Sequence, residues 1–223
     1  MRRLFFALLL LSTPLSTMAA ATVPERAAQH ITTLKYQISQ VWPSVPIPAA
    51  LAGQIEQETC PSLTHKKCWN PRAELKTDRE YGFGIGQITV TSRFNNFEEV
   101  KKLDAKLKSW RWEDRYDPER QLRALVLMDR AAFMKLSFAA DYERMAFMLS
   151  SYNGGLGGVM QDRRLALSKG ADPNKWFGNV EAHSFKSKTK AHGYGQSFFE
   201  VNREYVRNVL KVRMQRYLPY FLP

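Results

Sequence analysis

The stretch QIEQETCPS, residues 54–62, places two glutamates two positions apart, with a cysteine following the second. Glutamate pairs are common on hydrated helix surfaces, so the stretch is informative only if one carboxyl group is turned inward. The sequence predicts a helix from about Pro48 to Glu58, because proline suits the first turn of a helix, where its missing N–H costs no hydrogen bond. The faces of this helix on which the two glutamates lie therefore decide what the stretch can do.

The two glutamates are predicted to lie on different faces. Leu51, Ile55 and Glu58 follow one another at i, i+4 and i+7 and share one face. Glu56 is turned about 160° away from Glu58 and is predicted to face water. A carboxyl group at the end of an apolar stripe loses hydration, which raises its pKa, as a general acid at neutral pH requires. Glu58 is therefore the candidate catalytic residue; a glutamate at a fraying helix end is the alternative.

The rest of the chain predicts a mainly α fold in one domain. Its 223 residues are 44% apolar, which is enough for a sizeable core. No internal repeat or clear strand run is present, although residues 79–90 are compatible with a small β-hairpin. Asp117-Pro118 is a strong helix start, a capping acid followed by proline in the first turn. Further helices are predicted at about 22–40, 140–152 and 197–217, the last with Val209 and Val212 facing inward and Pro219 ending it, while 157–195 reads as mixed loop and short helix.

The first 21 residues have the pattern of a secretory signal peptide. Arg2 and Arg3 precede an apolar run at 4–11, and Ala19–Ala21 supply a cleavage site. The run is shorter than the roughly 20 residues that span a bilayer, which argues against an anchor. We therefore expect residues 22–223 to be exported to the periplasm or cell envelope, with no stable membrane insertion after signal cleavage.

Charge and cysteine content agree with export. The net charge of +12, or +10 without the signal peptide, favours a polyanionic partner such as the bacterial envelope, while a basic surface with no single partner remains the alternative. Export and the lack of a nucleic-acid-binding motif argue against nucleic acid. Cys60 and Cys68 predict one disulfide closing a short loop. A zinc site would need more ligands than these cysteines and His65, so no metal is expected.

Three further stretches carry polar groups that could bind a ligand. GFGIGQIT, residues 82–89, combines three glycines, which let a backbone approach a ligand, with Gln87. SSYNGG, residues 150–155, places Tyr152 and Asn153 at a predicted helix end, and Tyr205 lies on the inner face of the last helix. Each has an ordinary explanation taken alone: a glycine-rich turn, a helix cap and a core tyrosine.

Taken in order, these stretches resemble the soluble lytic transglycosylase family, which has a lysozyme-like fold. The family pattern is a glutamate followed by serine, then Gly-Leu-Met-Gln-Ile, then Ala-Tyr-Asn-x-Gly, then a late Tyr-Val pair. The corresponding residues are Glu58-Thr59, Gly84-Ile85-Gly86-Gln87-Ile88, Ser151-Tyr152-Asn153-Gly154-Gly155 and Tyr205-Val206. The resemblance covers roughly residues 45–215.

The chain departs from the family pattern in several places. Thr59 keeps the hydroxyl of the usual serine, whereas Gly86 replaces a methionine, so a contact with sugar is lost. The segment between Glu58 and Gln87 is longer than usual and holds both cysteines. Family members often carry Glu-Thr shortly before the Tyr-Val pair; here Val201 and Asn202 occupy those positions, with Glu200 one residue out of step.

The resemblance implies cleavage of the β-1,4 bond between N-acetylmuramic acid and N-acetylglucosamine in peptidoglycan, with a 1,6-anhydro product. Glu58 would act first as acid and then as base, without metal or organic cofactor. The implied substrate-binding residues are Thr59, Gly84, Gln87, Ile88, Tyr152, Asn153 and Tyr205. We expect a monomer whose partner is the glycan strand; any envelope apparatus it serves is not identified.

Two other functions stay open from the sequence. A hydrolase with the same lysozyme-like fold would need a second acid to activate water, and Asp78 and Glu80 are candidates, although solvated loop charges are the simpler explanation of both. A wall-binding or assembly protein whose cleft has lost activity is the alternative of another class.

Overall fold

The helix that carries the two glutamates lies at the centre of the molecule. The protein is described here from a computed structural model that covers residues 22–190 and 195–222. The predicted signal peptide lies outside the described residues, as do 191–194 and Pro223. Within the described part the fold is mainly α, with one small antiparallel sheet, as expected for a lysozyme-like domain.

The elements follow one another in a simple order along the chain. The α-helices are α1 (Glu25–Val41), α2 (Pro48–Thr59), α3 (Asn96–Lys101), α4 (Pro118–Met134), α5 (Asp141–Gly154), α6 (Leu156–Ser168), α7 (Phe198–Arg207) and α8 (Leu218–Phe221). Short 3-10 turns occupy Ala105–Leu107, Trp112–Asp114, Val180–Ala182 and Met214–Tyr217, and a π-helical segment occupies Asn208–Arg213. The strands are β1 (Glu74–Lys76), β2 (Tyr81–Phe83) and β3 (Ile88–Val90), paired antiparallel in the order β1-β2-β3. The β-hairpin predicted as compatible with residues 79–90 is thus present as β2 and β3, and β1 adds a third strand.

Helix α2 is enclosed on almost every side. Nine of its twelve residues are buried, from Ala49 to Glu56 and at Thr59. The segment from 208 to 217 packs along it so closely that a Cβ atom at Gly53 would lie 2.8 Å from the backbone nitrogen of Met214. Glycine is therefore required where the two backbones meet.

Most of the other helices pack on one another. Helix α1 packs on α4 through an apolar stripe that includes Ile31, Leu34 and Ile38, as the sequence predicted. Asp117 caps α4 by accepting hydrogen bonds from the backbone N–H groups of Glu119 and Arg120, at 2.9 and 3.2 Å. Helix α5 then packs on α4, α6 and α7.

Residues 157–195 are predicted as mixed loop and short helix, but most of their first part belongs to the regular helix α6. It is 13 residues long and follows α5 directly, because Gly155, at φ +81°, turns the chain sharply between them. Its buried stripe is Val159, Asp162 and Ala166, so a buried aspartate interrupts the apolar pattern. Asp162 is paired with Arg203 at 2.9 Å, a contact that periodicity cannot reveal.

The C-terminal helix departs from the prediction at two positions. Val209 and Leu210 are buried, but Val212 is 56% exposed and was wrongly expected to face inward. The cause is the π-helical segment at Asn208–Arg213, whose i→i+5 hydrogen bonds put more residues in each turn and so move Val212 out of the 3.6-residue period. Pro219 does not end the helix but lies in the first turn of α8, where proline is tolerated.

Candidate active site

Glu58 lies in the last turn of α2 and is half-buried. The hydroxyl of Tyr205, a buried residue on α7, donates a hydrogen bond to its Oε1 at 2.5 Å. The two residues are 147 positions apart in the chain, so the fold creates this contact. Tyr205, expected only to line the wall of the site, thus reaches the candidate acid directly.

The surroundings of Glu58 bring its pKa close to neutrality. Burial is the largest influence and raises the pKa, the hydrogen bond from Tyr205 lowers it, and the negative charge of Glu80 raises it again, to about 7. Burial and the charge of Glu58 hold the pKa of Tyr205 well above its usual range, so the phenol stays a donor. Glu58 can therefore both give and take a proton near neutral pH.

Tyr152 contacts the glycine-rich stretch at 82–89. It lies at the end of α5, and its hydroxyl donates to the carbonyl oxygen of Gly86 at 2.5 Å. A Cβ atom at position 86 would lie 3.0 Å from that hydroxyl and 3.0 Å from Leu125. The glycine that replaces the family's methionine thus gives Tyr152 room to bond the backbone.

The turn between β2 and β3 is held from inside the protein. Gln87 has φ +45°, and its amide nitrogen donates to the carbonyl oxygens of Gly84, at 2.8 Å, and Ala73, at 3.2 Å. Gln121 on α4 accepts from the N–H of Ile85 at 2.9 Å and fills the space that a side chain at Gly84 would need. Gln87 is half-buried at the end of the turn, whereas Gly84 lets the backbone turn where a side chain would collide with Gln121.

Two of the predicted substrate-binding residues are enclosed by the protein. Thr59 is buried; its hydroxyl donates to the carbonyl oxygen of Ile55 at 2.7 Å and accepts from the N–H of Trp69 at 3.0 Å. Ile88 is 1% exposed. Thr59 and Ile88, like the buried Gly84, thus offer a ligand almost no accessible side-chain surface in this structure.

The loop after Glu58 is closed by a disulfide between Cys60 and Cys68, as predicted. Both cysteines are buried, and Thr59 and Trp69, the residues directly before and after the closed loop, are joined by a hydrogen bond. Because Cys60 is two residues from Glu58, the crosslink restrains the chain where it leaves the candidate acid.

Glu56 does not face water, which corrects the prediction from periodicity. It is fully buried and accepts hydrogen bonds from the Tyr217 hydroxyl, at 2.7 Å, and from Arg213 Nη1, at 2.8 Å. It also forms an ion pair with Arg216, whose Nε lies 2.9 Å away. The pattern assumed one wet helix face, whereas the C-terminal segment covers that face of α2. Glu56 is an anchor for this segment and lies in the interior.

Asn153 is held by a residue that the sequence analysis did not identify as part of the site. Asn202 Nδ2 donates to Asn153 Oδ1 at 2.9 Å and to the carbonyl oxygen of Ser150 at 3.0 Å. Glu200 accepts from the N–H and hydroxyl of Ser197, both at 2.8 Å, and so caps α7. Of the residues in the altered late motif, Asn202 joins the site and Glu200 does not.

A cleft of about 1020 Å³ opens beside these residues. Its walls include the β1–β2 turn with Asp78 and Glu80, and the α5 end with Tyr152 and Asn153. Phe94, half exposed, adds an apolar surface, and other cleft residues include Arg79, Arg93 and Lys135. The cleft therefore offers a ring surface and both signs of charge, and two of its lining residues, Glu80 and Tyr152, interact electrostatically with Glu58.

One more buried acid lies close to this site and was not predicted. Asp129 on α4 is fully buried and interacts electrostatically with Glu58, Tyr152 and Tyr205. A single aspartate within an α4 pattern of leucine and alanine gave no signal of this neighbourhood. Within the part of the chain that the structure describes, no three His, Cys, Asp or Glu side chains gather as a metal site.

The comparisons with known proteins point to one group of enzymes. No family model matches the chain. A membrane-bound lytic murein transglycosylase F of Vibrio cholerae serotype O1 is 32% identical over 103 residues, which are 43% of this chain and 19% of the relative. The protein of the same name from Shewanella denitrificans is 32% identical over 111 residues, 48% of this chain and 19% of that protein. The chain thus spans about a fifth of the length of these curated relatives, and over the matched segment it is similar to lytic murein transglycosylases.

Proposed function

We propose that this protein is a peptidoglycan lytic transglycosylase in which Glu58 acts as the single general acid and base. The observation that carries the proposal is a half-buried carboxyl group, with a pKa of about 7, that receives a hydrogen bond from Tyr205 and interacts electrostatically with Glu80 and Tyr152, two residues that line a large cleft. The similarity to lytic murein transglycosylases supports the same activity.

In the first step Glu58 gives its proton to the glycosidic oxygen between N-acetylmuramic acid and N-acetylglucosamine. The bond from that oxygen to the anomeric carbon breaks, and positive charge develops on the muramoyl ring. The new carboxylate then takes the proton of the muramoyl C6 hydroxyl, whose oxygen attacks the anomeric carbon. A 1,6-anhydro ring forms, Glu58 ends protonated, and no water is consumed.

The environment of Glu58 suits both steps. A pKa near 7 keeps a large fraction of the group protonated at neutral pH, and it makes the carboxylate basic enough for the second proton transfer. The Tyr205 hydroxyl orients the carboxyl group in both states because it remains a donor throughout. Tyr152, Asn153 and Gln87 would line the path of the glycan.

Location and partner follow from the same proposal. The substrate is the peptidoglycan strand, and we place the protein in the periplasm or envelope, exported by residues 1–21 and working as a monomer. The Cys60–Cys68 disulfide supports an oxidising compartment. None of the described helices is both long enough and apolar enough to cross a membrane.

A second candidate is a hydrolase that uses Glu80 to activate water. The observation that favours it is electrostatic: the charge of Glu80 reaches Glu58 and raises its pKa, and Glu80 borders the cleft. A carboxylate pair across a glycosidic bond is the usual arrangement of glycosidases.

Digestion of purified peptidoglycan, followed by mass analysis of the muropeptides, tests both candidates. We expect anhydro ends, lighter by one water than reducing ends, and a loss of at least about 10³-fold in rate for Glu58→Gln, because one carboxyl serves both proton transfers. Glu80→Gln should retain the anhydro product. Reducing ends that depend on Glu80 would replace the proposal with the hydrolase, and binding without release would leave a wall-binding protein.

A further inference from the structure

A buried acid–amide pair lies directly beneath the turn of α2 that carries Glu58. Gln54, one turn before Glu58, and Asp129 on α4 are both fully buried. Gln54 Nε2 donates to Asp129 Oδ1 at 3.2 Å. The other two oxygens, Gln54 Oε1 and Asp129 Oδ2, are also buried and find no hydrogen-bond partner among the described residues. Two unpaired acceptors on the same pair of side chains require an explanation.

One added proton would give both of these unpaired oxygens a hydrogen-bond partner. An ionised carboxylate can only accept hydrogen bonds, and so can the oxygen of a glutamine amide. If Asp129 carries a proton on Oδ2, that oxygen becomes a donor, and Gln54 Oε1 is the acceptor on its partner side chain. The acid and the amide would then share two antiparallel hydrogen bonds, the observed one and a second that joins the two unpaired oxygens.

We propose that Asp129 is a neutral carboxylic acid in the working protein, and that its paired hydrogen bonds with Gln54 fix the turn of α2 beneath Glu58 without adding a second negative charge there. The positioning role rests on the proposed function, whereas the protonation of Asp129 does not. Asp129 is thus a positioning residue, and Glu58 alone exchanges its proton during cleavage.

The groups around Asp129 favour this state. Burial raises the pKa of Asp129 well above its usual range, the hydrogen bond from Gln54 lowers it, and the charge of Glu58 raises it. The other titratable groups that face it are Tyr152 on α5 and Tyr205 on α7, and burial keeps both phenols protonated. When Glu58 gives up its proton, its new charge makes Asp129 hold its own proton more firmly.

The first test is the pH dependence of stability in Asp129→Asn. Asparagine keeps the shape and supplies both hydrogen bonds without a titrating proton. In the wild type, an acid whose folded pKa lies above its unfolded value of about 3.9 releases a proton on unfolding, so its stabilising contribution is lost as pH rises above that value. The ratio of the wild-type unfolding constant to that of the variant should therefore grow by up to about tenfold per pH unit between pH 4 and 8.

Denaturant melts across this pH range give the answer without any activity measurement. A difference between the two proteins that does not change with pH, a variant that loses stability as pH rises relative to the wild type, or failure of the variant to fold would each overturn the neutral acid. The result is independent of whether the protein cleaves peptidoglycan, so it also stands apart from a failure of the proposed function.

The second test is the pH profile of peptidoglycan cleavage. Because Asp129 carries no charge, Asp129→Asn should leave the alkaline limb of the profile where it is in the wild type; a shift to lower pH would show that a negative charge had been removed. Gln54→Leu should lower the rate of the folded protein by about tenfold or more, since the supporting pair is lost. Gln37→Leu, which removes a buried glutamine bonded to Arg123 on another part of α4, is the matched control and should change the rate by less than about twofold. Equal losses in the two leucine variants would overturn the positioning role.

Discussion

The chemistry of Glu58 depends on neighbours that act in opposite directions. Burial and the charge of Glu80 favour the protonated acid, whereas the hydroxyl of Tyr205 favours the carboxylate. Without the hydroxyl the group would hold its proton too firmly to act as a base, and without burial it would be ionised before it could act as an acid. The balance between these effects sets the pH range of the proposed reaction.

Replacing Tyr205 with phenylalanine should move that range to higher pH. The variant loses a hydrogen bond that stabilises the Glu58 carboxylate, so the pKa of Glu58 rises and the alkaline limb of the cleavage rate moves upward. The maximal rate should fall by about 10-fold, the scale of one hydrogen bond to a charged group. The measurement is the rate of muropeptide release between pH 5 and 9.

Tyr217→Phe is the matched control for this prediction. Tyr217 is also buried and also donates to a glutamate, but its partner is Glu56. The control should lose stability and keep the wild-type pH profile. An unchanged profile in the Tyr205 variant, or the same displacement in both, would contradict the role given to Tyr205.

At the scale of single residues, the sequence indicated that Glu58 is turned inward, but it did not indicate which side chains surround the site. Periodicity placed Glu58 in line with the apolar stripe, and the structure finds it half-buried there. Its contact with Tyr205 crosses 147 residues, and the amide supports from Gln121 and Asn202 come from other helices. Such contacts depend on the packing of whole elements, so no local pattern contains them.

At the scale of elements, α2 shows why one-sided periodicity fails in the interior. A helix on the surface has one apolar face, but α2 is covered by the C-terminal segment on the side opposite its stripe. Glu56 was therefore assigned to water and is instead buried against Arg213 and Arg216. The π-helical turn in the same segment displaced Val212 from its predicted face for a related reason: the local geometry departs from 3.6 residues per turn.

The buried Glu56 leads to a prediction about stability. Glu56→Gln removes the charge that pairs with two arginines and leaves them beside a neutral group, which should cost about 2–4 kcal/mol in the free energy of unfolding. The cleavage profile of the folded variant should keep its pH dependence, because Glu56 is not among the groups that shift the pKa of Glu58. Urea denaturation gives the first quantity and the digestion assay the second.

Glu99→Gln serves as the control because Glu99 forms an exposed pair with Lys102 on the surface of the molecule. Its effect on stability should stay within about 0.5 kcal/mol. If Glu56→Gln is equally mild, the ion pairs at the end of α2 do not hold the C-terminal segment, and its packing alone must do so.

The disulfide joins these elements at the position that matters for the site. It links Cys60, at the end of α2, to Cys68, and the next residue, Trp69, donates its indole N–H to the hydroxyl of Tyr217 at 2.9 Å. Tyr217 in turn donates to Glu56. The loop after Glu58, the helix that carries it and the C-terminal segment thus form one connected support, of which the sequence predicted only the cysteine pair.

At the scale of the whole molecule, charge is the property that composition describes best. The excess of 33 Lys and Arg over 21 Asp and Glu gives the chain a positive field that attracts polyanions. The cleft itself carries both signs, with Arg79, Arg93 and Lys135 near Asp78, Glu80 and Glu99. Attraction to the wall is therefore expected to come from the protein as a whole, while the cleft selects the bond.

This separation predicts that wall binding weakens with salt, whereas recognition of the glycan does not. Raising NaCl from about 0.05 to about 0.5 M shortens the screening length severalfold, so the fraction of protein that sediments with insoluble peptidoglycan should fall. Glycan strands stripped of their peptide stems lack the anionic carboxylates, and binding to them should change little over the same range. The inactive Glu58→Gln variant lets both be measured without cleavage. If binding to both substrates weakens equally with salt, the peptide carboxylates are not what the positive charge of the protein attracts, and the prediction is wrong.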